Sequence, residues 1–176
     1  MKTTLSLKAV LFLVAACIIF ASCSAKHKAN TKKPVASPRD SITRTVNGAT
    51  ITINYGSPAV KGRKIWGGLV PYDAVWRTGA NEATRFTTDK DIMVEGKALP
   101  AGTYGFFAIP GHDSWTIIFN SVANQWGAFK YDASKDVLRV TVTPETVKMH
   151  ERLVYKINSH GFNLIWDELA VPVSIK

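Results

Sequence analysis

The sequence predicts an all-β fold: a single antiparallel β-sandwich or jelly-roll-like domain with two long irregular loops. Several segments alternate apolar and polar residues with a period of two, which is typical of strands with one buried face. Turn-forming pairs such as Asn47-Gly48 separate these segments. Residues 40–176, 137 in number, are enough to bury one hydrophobic core.

Ten short strands are predicted. In residues 50–55, Ile51, Ile53 and Tyr55 alternate with polar residues. Pro172 cannot donate a ladder hydrogen bond, so it indicates an edge strand. The predicted strands are 42–46, 50–55, 85–88, 92–95, 103–109, 114–120, 137–143, 152–158, 162–166 and 169–175.

Two segments lack this alternation, Ser57 to Glu82 and Val122 to Asp136. Long irregular segments in a compact domain are usually functional or disordered. Their aromatic content argues against disorder; it includes Trp66, Tyr72, Trp76, Trp126 and Phe129.

The N-terminus has the layout of a secretion signal. Lys2 and Lys8 precede 17 uncharged residues, 9–25, a stretch shorter than the about 20 apolar residues of a membrane span. The small residues Ala21 and Ser22 lie directly before Cys23, which resembles the lipobox of bacterial lipoproteins. This likeness implies a signal peptide over 1–22 and lipid on Cys23; an ordinary signal peptide cut nearby and an uncleaved anchor are the alternatives.

After Cys23, residues 23–39 are polar, basic and proline-containing, which predicts a flexible tether. Cys17 lies in the predicted signal, and lipid would consume Cys23, so no disulfide is expected. Seven of the 22 basic residues precede Asp40; from Asp40 onward 15 basic residues face 13 acidic ones, a net charge of +2. Because the formal charge of +9 is mostly N-terminal, we expect membrane lipid as the partner and no nucleic acid.

A polar and aromatic cluster in the first irregular segment is the candidate ligand site. Arginine forks suit carboxylates or phosphates, tryptophan stacks on rings and sugar faces, and Asn and Glu supply further hydrogen bonds. The candidate residues are Arg63, Trp66, Trp76, Arg77, Asn81 and Glu82. Trp126 is a candidate for the opposite wall, because loops at one end of a sandwich cluster in space; its alternative role is to cap the core.

Three interpretations of the cluster stay open. Arg77 and Glu82 pair and pin the loop, or the cluster binds a polar ligand such as a glycan, or Glu82 with Arg77 and Asn81 catalyses hydrolysis. A glycosidase would need a second carboxylate, for which Asp73 is the nearest candidate in sequence. The domain's histidines occur singly, so we expect no metal site, and no cofactor motif is present.

Several motifs resemble the domain of unknown function 2911 family, from about Ser37 to the C-terminus. They are Ser37-Pro38-Arg39, Tyr55-Gly56-Ser57-Pro58, residues 62–71 (GRKIWGGLVP), residues 75–84 (VWRTGANEAT), residues 99–104 (LPAGTY), Gln125-Trp126-Gly127 and residues 136–140 (DVLRV). The resemblance implies secreted or lipid-anchored envelope proteins, largely of Bacteroidetes, with no established activity.

The sequence thus predicts a lipid-anchored envelope module that binds a glycan-like or peptidoglycan-derived ligand, with a periplasmic hydrolase as the alternative. Surface-displayed lipoproteins of Bacteroidetes usually carry acidic residues just after the lipidated cysteine. Lys26 and Lys28 are basic instead. We therefore expect the periplasmic face of the outer membrane.

Overall fold

The computed structural model describes residues 35–176, and these form an antiparallel all-β fold, as predicted. The predicted signal peptide, Cys23 and the tether up to residue 34 lie outside the described residues. The strands are β1 (Arg39–Val46), β2 (Ala49–Gly56), β3 (Thr84–Thr88), β4 (Ile92–Val94), β5 (Lys97–Leu99), β6 (Gly102–Pro110), β7 (Trp115–Asn120), β8 (Asp136–Val142), β9 (Glu145–Asn158) and β10 (Gly161–Ser174). Within residues 35–176, no helix is long and apolar enough to span a membrane.

Six strands form the main sheet in the order β1-β2-β3-β6-β7-β8. Neighbours in this sheet follow one another along the chain, and the small hairpin β4–β5 is inserted between β3 and β6. Asn47 and Gly48 both have positive φ, at 48° and 83°, as the tight β1–β2 hairpin requires. Glu95 and Gly96, between β4 and β5, also have positive φ, at 47° and 77°.

The long β9–β10 hairpin forms the second layer and encloses the core with one face of the main sheet. Phe162 of β10 lies 5.5 Å, ring to ring, from Phe106 of β6. Tyr155 of β9 lies 4.7 Å from Tyr55 of β2. Thirty-one buried apolar side chains form this cluster, so the hydrophobic effect holds the two layers together.

Two predicted strands, 162–166 and 169–175, are one strand in the structure. A β-bulge at Asp167, where φ is 53°, interrupts the pairing of β10 with β9. The buried positions change parity there, from Phe162 and Leu164 to Val171 and Val173. Pro172 lies beyond the pairing of this strand with β9, which ends at Ala170, and before Ser174, whose carbonyl accepts from Glu95 N at 3.1 Å.

The opposite face of the main sheet is partly covered by the two irregular segments. Phe107 and Ile118 form a second small core there with Val75 and Tyr131 from these segments. Where this cover ends, polar side chains of β1, β2 and β3 face outward. The candidate functional site lies at this boundary.

Candidate functional site

An open cleft of about 850 Å³, here called the outer cleft, lies on the outward face of the main sheet. Arg39, Asn54 and Arg85 come from β1, β2 and β3, so three adjacent strands form its floor. Asn81 and Glu82 line it from the first irregular segment, and Asn124 from the second. Seven of its twelve lining residues carry amide or charged side chains, and such groups are suited to a ligand with hydroxyl or amide groups.

Arg39 holds the outer cleft together. Its Nε donates to Asn54 Oδ1 at 2.6 Å, and its Nη atoms donate to the backbone carbonyls of Asn54, Glu82 and Ala83, each at 3.3 Å. Its Nη1 also forms an ion pair with Glu82 Oε2 at 3.3 Å. Burial lowers the pKa of Arg39, and the Glu82 carboxylate partly opposes that shift. The sequence pattern places Arg39 at the end of the tether and outside the site. In the structure Arg39 is instead the first residue of β1.

Glu82 therefore pairs with Arg39. Pairing of Arg77 with Glu82, one of the three interpretations of the cluster, is wrong for the described residues, since the ion pair of Glu82 is with Arg39 of β1. The side chain of Glu82 is 54% exposed and lines the outer cleft, whereas Arg77 lines a different hollow. The motif is thus divided between two places.

The second irregular segment runs beside the Trp76–Glu82 motif, as predicted. Gly127 N donates to Asn81 O and Ala83 N donates to Gln125 O, both at 3.0 Å, so Trp126 pairs with Glu82 in an antiparallel bridge. Residues opposite each other in such a bridge present their side chains on the same face. The indole of Trp126 is 60% exposed, which rules out the alternative role of capping the core.

Amide side chains complete the wall of the outer cleft. Arg85 donates to Asn124 Oδ1 at 3.1 Å and to Asn54 Oδ1 at 3.3 Å. Gln125 uses its amide N–H to bind Val122 O, and within residues 35–176 its Oε1, which is shielded from solvent, accepts no hydrogen bond. A buried acceptor without a donor is uncommon in folded proteins.

A smaller hollow of about 230 Å³, here called the Arg77 cavity, adjoins the outer cleft. Ser37 and Asn81 line both hollows. Arg63, Trp76 and Arg77 line the cavity, so the structure brings these three predicted site residues together. Arg63 is already engaged, because its Nε and Nη2 bind the carbonyls of Val60 and Ala59 in its own loop.

Strained backbone presents Arg77 and Asn81. Thr78 and Asn81 both have positive φ, at 51° and 64°, a region that a β-branched residue such as threonine rarely adopts. Thr78 is fully buried and held on both sides: its hydroxyl donates to Phe106 O at 2.9 Å, and its carbonyl accepts from the Tyr155 hydroxyl at 2.8 Å. The core therefore fixes the loop that carries the site.

Trp66, another predicted ligand residue, lines neither hollow. Its ring makes edge-to-face contacts with Trp115 at 5.0 Å and with Trp76 at 5.7 Å, at the end of the core. Trp76 is itself buried and stacks on Trp166 at 6.1 Å. Edge-to-face packing of aromatic rings is stabilising, so Trp66 supports the wall from behind.

No group of three or more His, Cys, Asp and Glu side chains within residues 35–176 has the geometry of a metal site. His112, one of the singly occurring histidines, packs on Tyr72 with ring centroids 4.0 Å apart. Asp73, the candidate for a second carboxylate, is exposed and lines neither hollow.

A family model described as a protein of unknown function (DUF2911) matches residues 37–175, which include both irregular segments and all ten strands. The chain belongs to the DUF2911 family. The match begins at Ser37, so it includes the lining residues Ser37, Pro38 and Arg39 but not Val35. Comparisons with curated proteins and with solved structures give no match.

Proposed function

We propose that this DUF2911 protein is a lipid-anchored envelope module that binds a polar, glycan-like ligand in the outer cleft. The observation that carries the proposal is the lining of the cleft: the amides Asn54, Asn81 and Asn124 and the cations Arg39 and Arg85 converge on about 850 Å³ of open space. This volume lies within the about 300–1,000 Å³ of small-molecule sites. Peptidoglycan-derived sugars are ligands of the right chemistry in the periplasm.

Trp126 supports this ligand class. It is exposed and lies opposite the cleft-lining Glu82 in their bridge, although Trp126 itself lines neither hollow. An exposed indole next to hydrogen-bonding side chains suits a sugar ring, whose flat apolar face stacks on the indole while its hydroxyls bind polar groups.

The binding proposal is tested by calorimetry with envelope sugars and muropeptides on wild type, Trp126→Ser and Phe129→Ser. Phe129 is 84% exposed in the same loop and, like Trp126, lines neither hollow; within residues 35–176 it forms no bridge to a cleft-lining residue, so its variant is the matched control. We expect Trp126→Ser to weaken sugar binding about tenfold, from the about 0.5–1.5 kcal/mol of an aromatic stacking contact. Equal affinities for the two variants, or no sugar binding by wild type, would contradict the proposal.

The same titrations examine the hydrolase alternative through Glu82→Gln. Within residues 35–176, Glu82 is the one carboxylate that lines either hollow, and it is already paired with Arg39. We expect sugar binding without turnover in wild type. Turnover in wild type that is lost in Glu82→Gln, with binding retained, would establish an enzyme instead.

The anchor is tested at Cys23. Cys23→Ala removes the thiol that would carry the lipid, so we expect the protein to move from the membrane fraction to the soluble fraction. Incorporation of labelled palmitate into wild type and not into the variant gives an independent measurement. A variant that stays with membranes after a salt wash would contradict lipid anchoring.

A further inference from the structure

Arg77 is a half-buried cation that has no partner within residues 35–176. Its guanidinium makes no hydrogen bond and no ion pair with the described residues, and its Nε is shielded from solvent without an acceptor there. Burial lowers the pKa of Arg77. Removing a charge from water costs free energy unless it is paired, so an anion from outside the chain is the expected partner.

The other polar groups around Arg77 are also mainly donors. Arg63 binds its loop through Nε and Nη2, which leaves Nη1 available. The indole N–H of Trp166, another cavity-lining residue, is shielded from solvent and has no acceptor within residues 35–176. No Asp or Glu of the described residues 35–176 lines the cavity. This donor-rich lining favours an oxyanion and disfavours a cation.

The size of the Arg77 cavity limits what it accepts. At about 230 Å³ it is below the range of about 300–1,000 Å³ for whole small-molecule ligands, whereas the outer cleft is within it. The flat rings of Trp76 and Trp166, which stack with an interplanar angle of 16°, form part of its wall. The hollow is therefore suited to a small, planar end group.

We infer that the Arg77 cavity is a carboxylate-binding subsite, which receives the acidic group of a sugar whose body lies in the outer cleft. Ser37 and Asn81 line both hollows and are joined by a hydrogen bond from Asn81 Nδ2 to Ser37 O at 3.4 Å, so the two hollows are adjacent at this pair. The ligand class is then an acidic saccharide, such as a uronic acid or a lactyl-bearing amino sugar. This inference rests on the proposed function for the cleft, but the anion preference of Arg77 has its own test.

The test measures thermal unfolding of the full chain with glucuronate, glucose, acetate, phosphate or chloride at equal ionic strength. With glucuronate at ten times its dissociation constant, we expect the midpoint of wild type to rise by about 5 °C. Acetate should raise it less, and chloride and phosphate should not raise it. In Arg77→Gln the glucuronate effect should disappear, and in Arg77→Lys part of it should remain.

Lys148→Gln is the matched control, because it also removes one positive charge but from an exposed β9 residue that lines neither hollow. It should keep the full glucuronate shift. Equal shifts with glucuronate and glucose in wild type, a retained preference in Arg77→Gln, or stabilisation by phosphate without glucuronate would overturn the carboxylate subsite. Binding of glucose alone would leave the cleft proposal standing while rejecting the subsite.

Discussion

Replacing Arg39 by alanine should destabilise the domain more than any other change at the outer cleft. The guanidinium joins β1 to β2 and to the segment before β3, with one short bond to Asn54 Oδ1 at 2.6 Å and longer bonds to three backbone carbonyls. Its side chain is 30% exposed, so water replaces part of what is lost. Hydrogen bonds of charged groups contribute about 1.5–3 kcal/mol each when well formed; we expect a total loss of about 2 kcal/mol.

Glu82→Gln separates the ion pair from the rest of this network. It removes the charge that Arg39 meets at 3.3 Å but leaves the arginine and its backbone bonds in place. Exposed ion pairs contribute about 0–1 kcal/mol, so the change in free energy of unfolding should be less than half that of Arg39→Ala.

The free energy of unfolding of both variants and of wild type is measured by urea unfolding, followed by tryptophan fluorescence. Thermal unfolding is the second measurement: for a domain of this size, about 1 kcal/mol corresponds to roughly 4 °C in the thermal midpoint, so Arg39→Ala should lower the midpoint by about 8 °C. A loss in Glu82→Gln as large as that in Arg39→Ala would refute the reasoning, because it would place the stabilisation in the ion pair and not in the backbone carbonyls.

Three further outcomes follow from the same structure. Gly56→Ala would set a methyl group against the carbonyl oxygen of Ala80, so it should cost more than about 2 kcal/mol in urea unfolding, whereas Gly62→Ala meets no atom within 4 Å and should cost about 1 kcal/mol from its φ of 65°. Trp126→Ser should change the free energy of unfolding by less than about 0.5 kcal/mol, since the indole is 60% exposed. Burial raises the pKa of Tyr55 to about 12; the unfolded phenol ionises first, near pH 10, so stability should fall between about pH 10 and 12, and less steeply in Tyr55→Phe.

Sequence patterns predict most of the strands because one buried face imposes alternation. The pattern is lost where that condition fails. Residues 145–152 begin β9 and have little burial on either face, so no alternation marks them as a strand. The bulge at Asp167 moves the buried side chains of β10 from even-numbered to odd-numbered positions, so the alternation is interrupted and one strand resembles two. Lys97–Leu99 is only three residues long, too short to show a period.

The candidate site was predicted in part for a similar reason. Composition identifies the Trp76–Glu82 motif, because irregular segments rich in arginine and aromatic residues differ from the strands. The proximity of this motif to Trp126 is predicted by the clustering of loops at one end of a sandwich. The partner of Glu82 is a property of the register between β1 and β2, in which Arg39 lies opposite Gly56. That register depends on long-range packing, and the polar residues near Arg39 carry no local signal for it.

The contrast between Arg39 and Arg77 separates the part of this surface that supports the fold from the part that is available to a ligand. Both guanidinium groups are partly desolvated, and desolvation lowers the pKa of each. Arg39 recovers that cost through bonds to β2 and to the segment before β3. Arg77 recovers none of it within residues 35–176, although the buried and strained Thr78 beside it holds the loop in place. A folded chain keeps a cation fixed and unpaired at a free-energy cost, and a ligand anion that removes this cost is the reason we propose for its position.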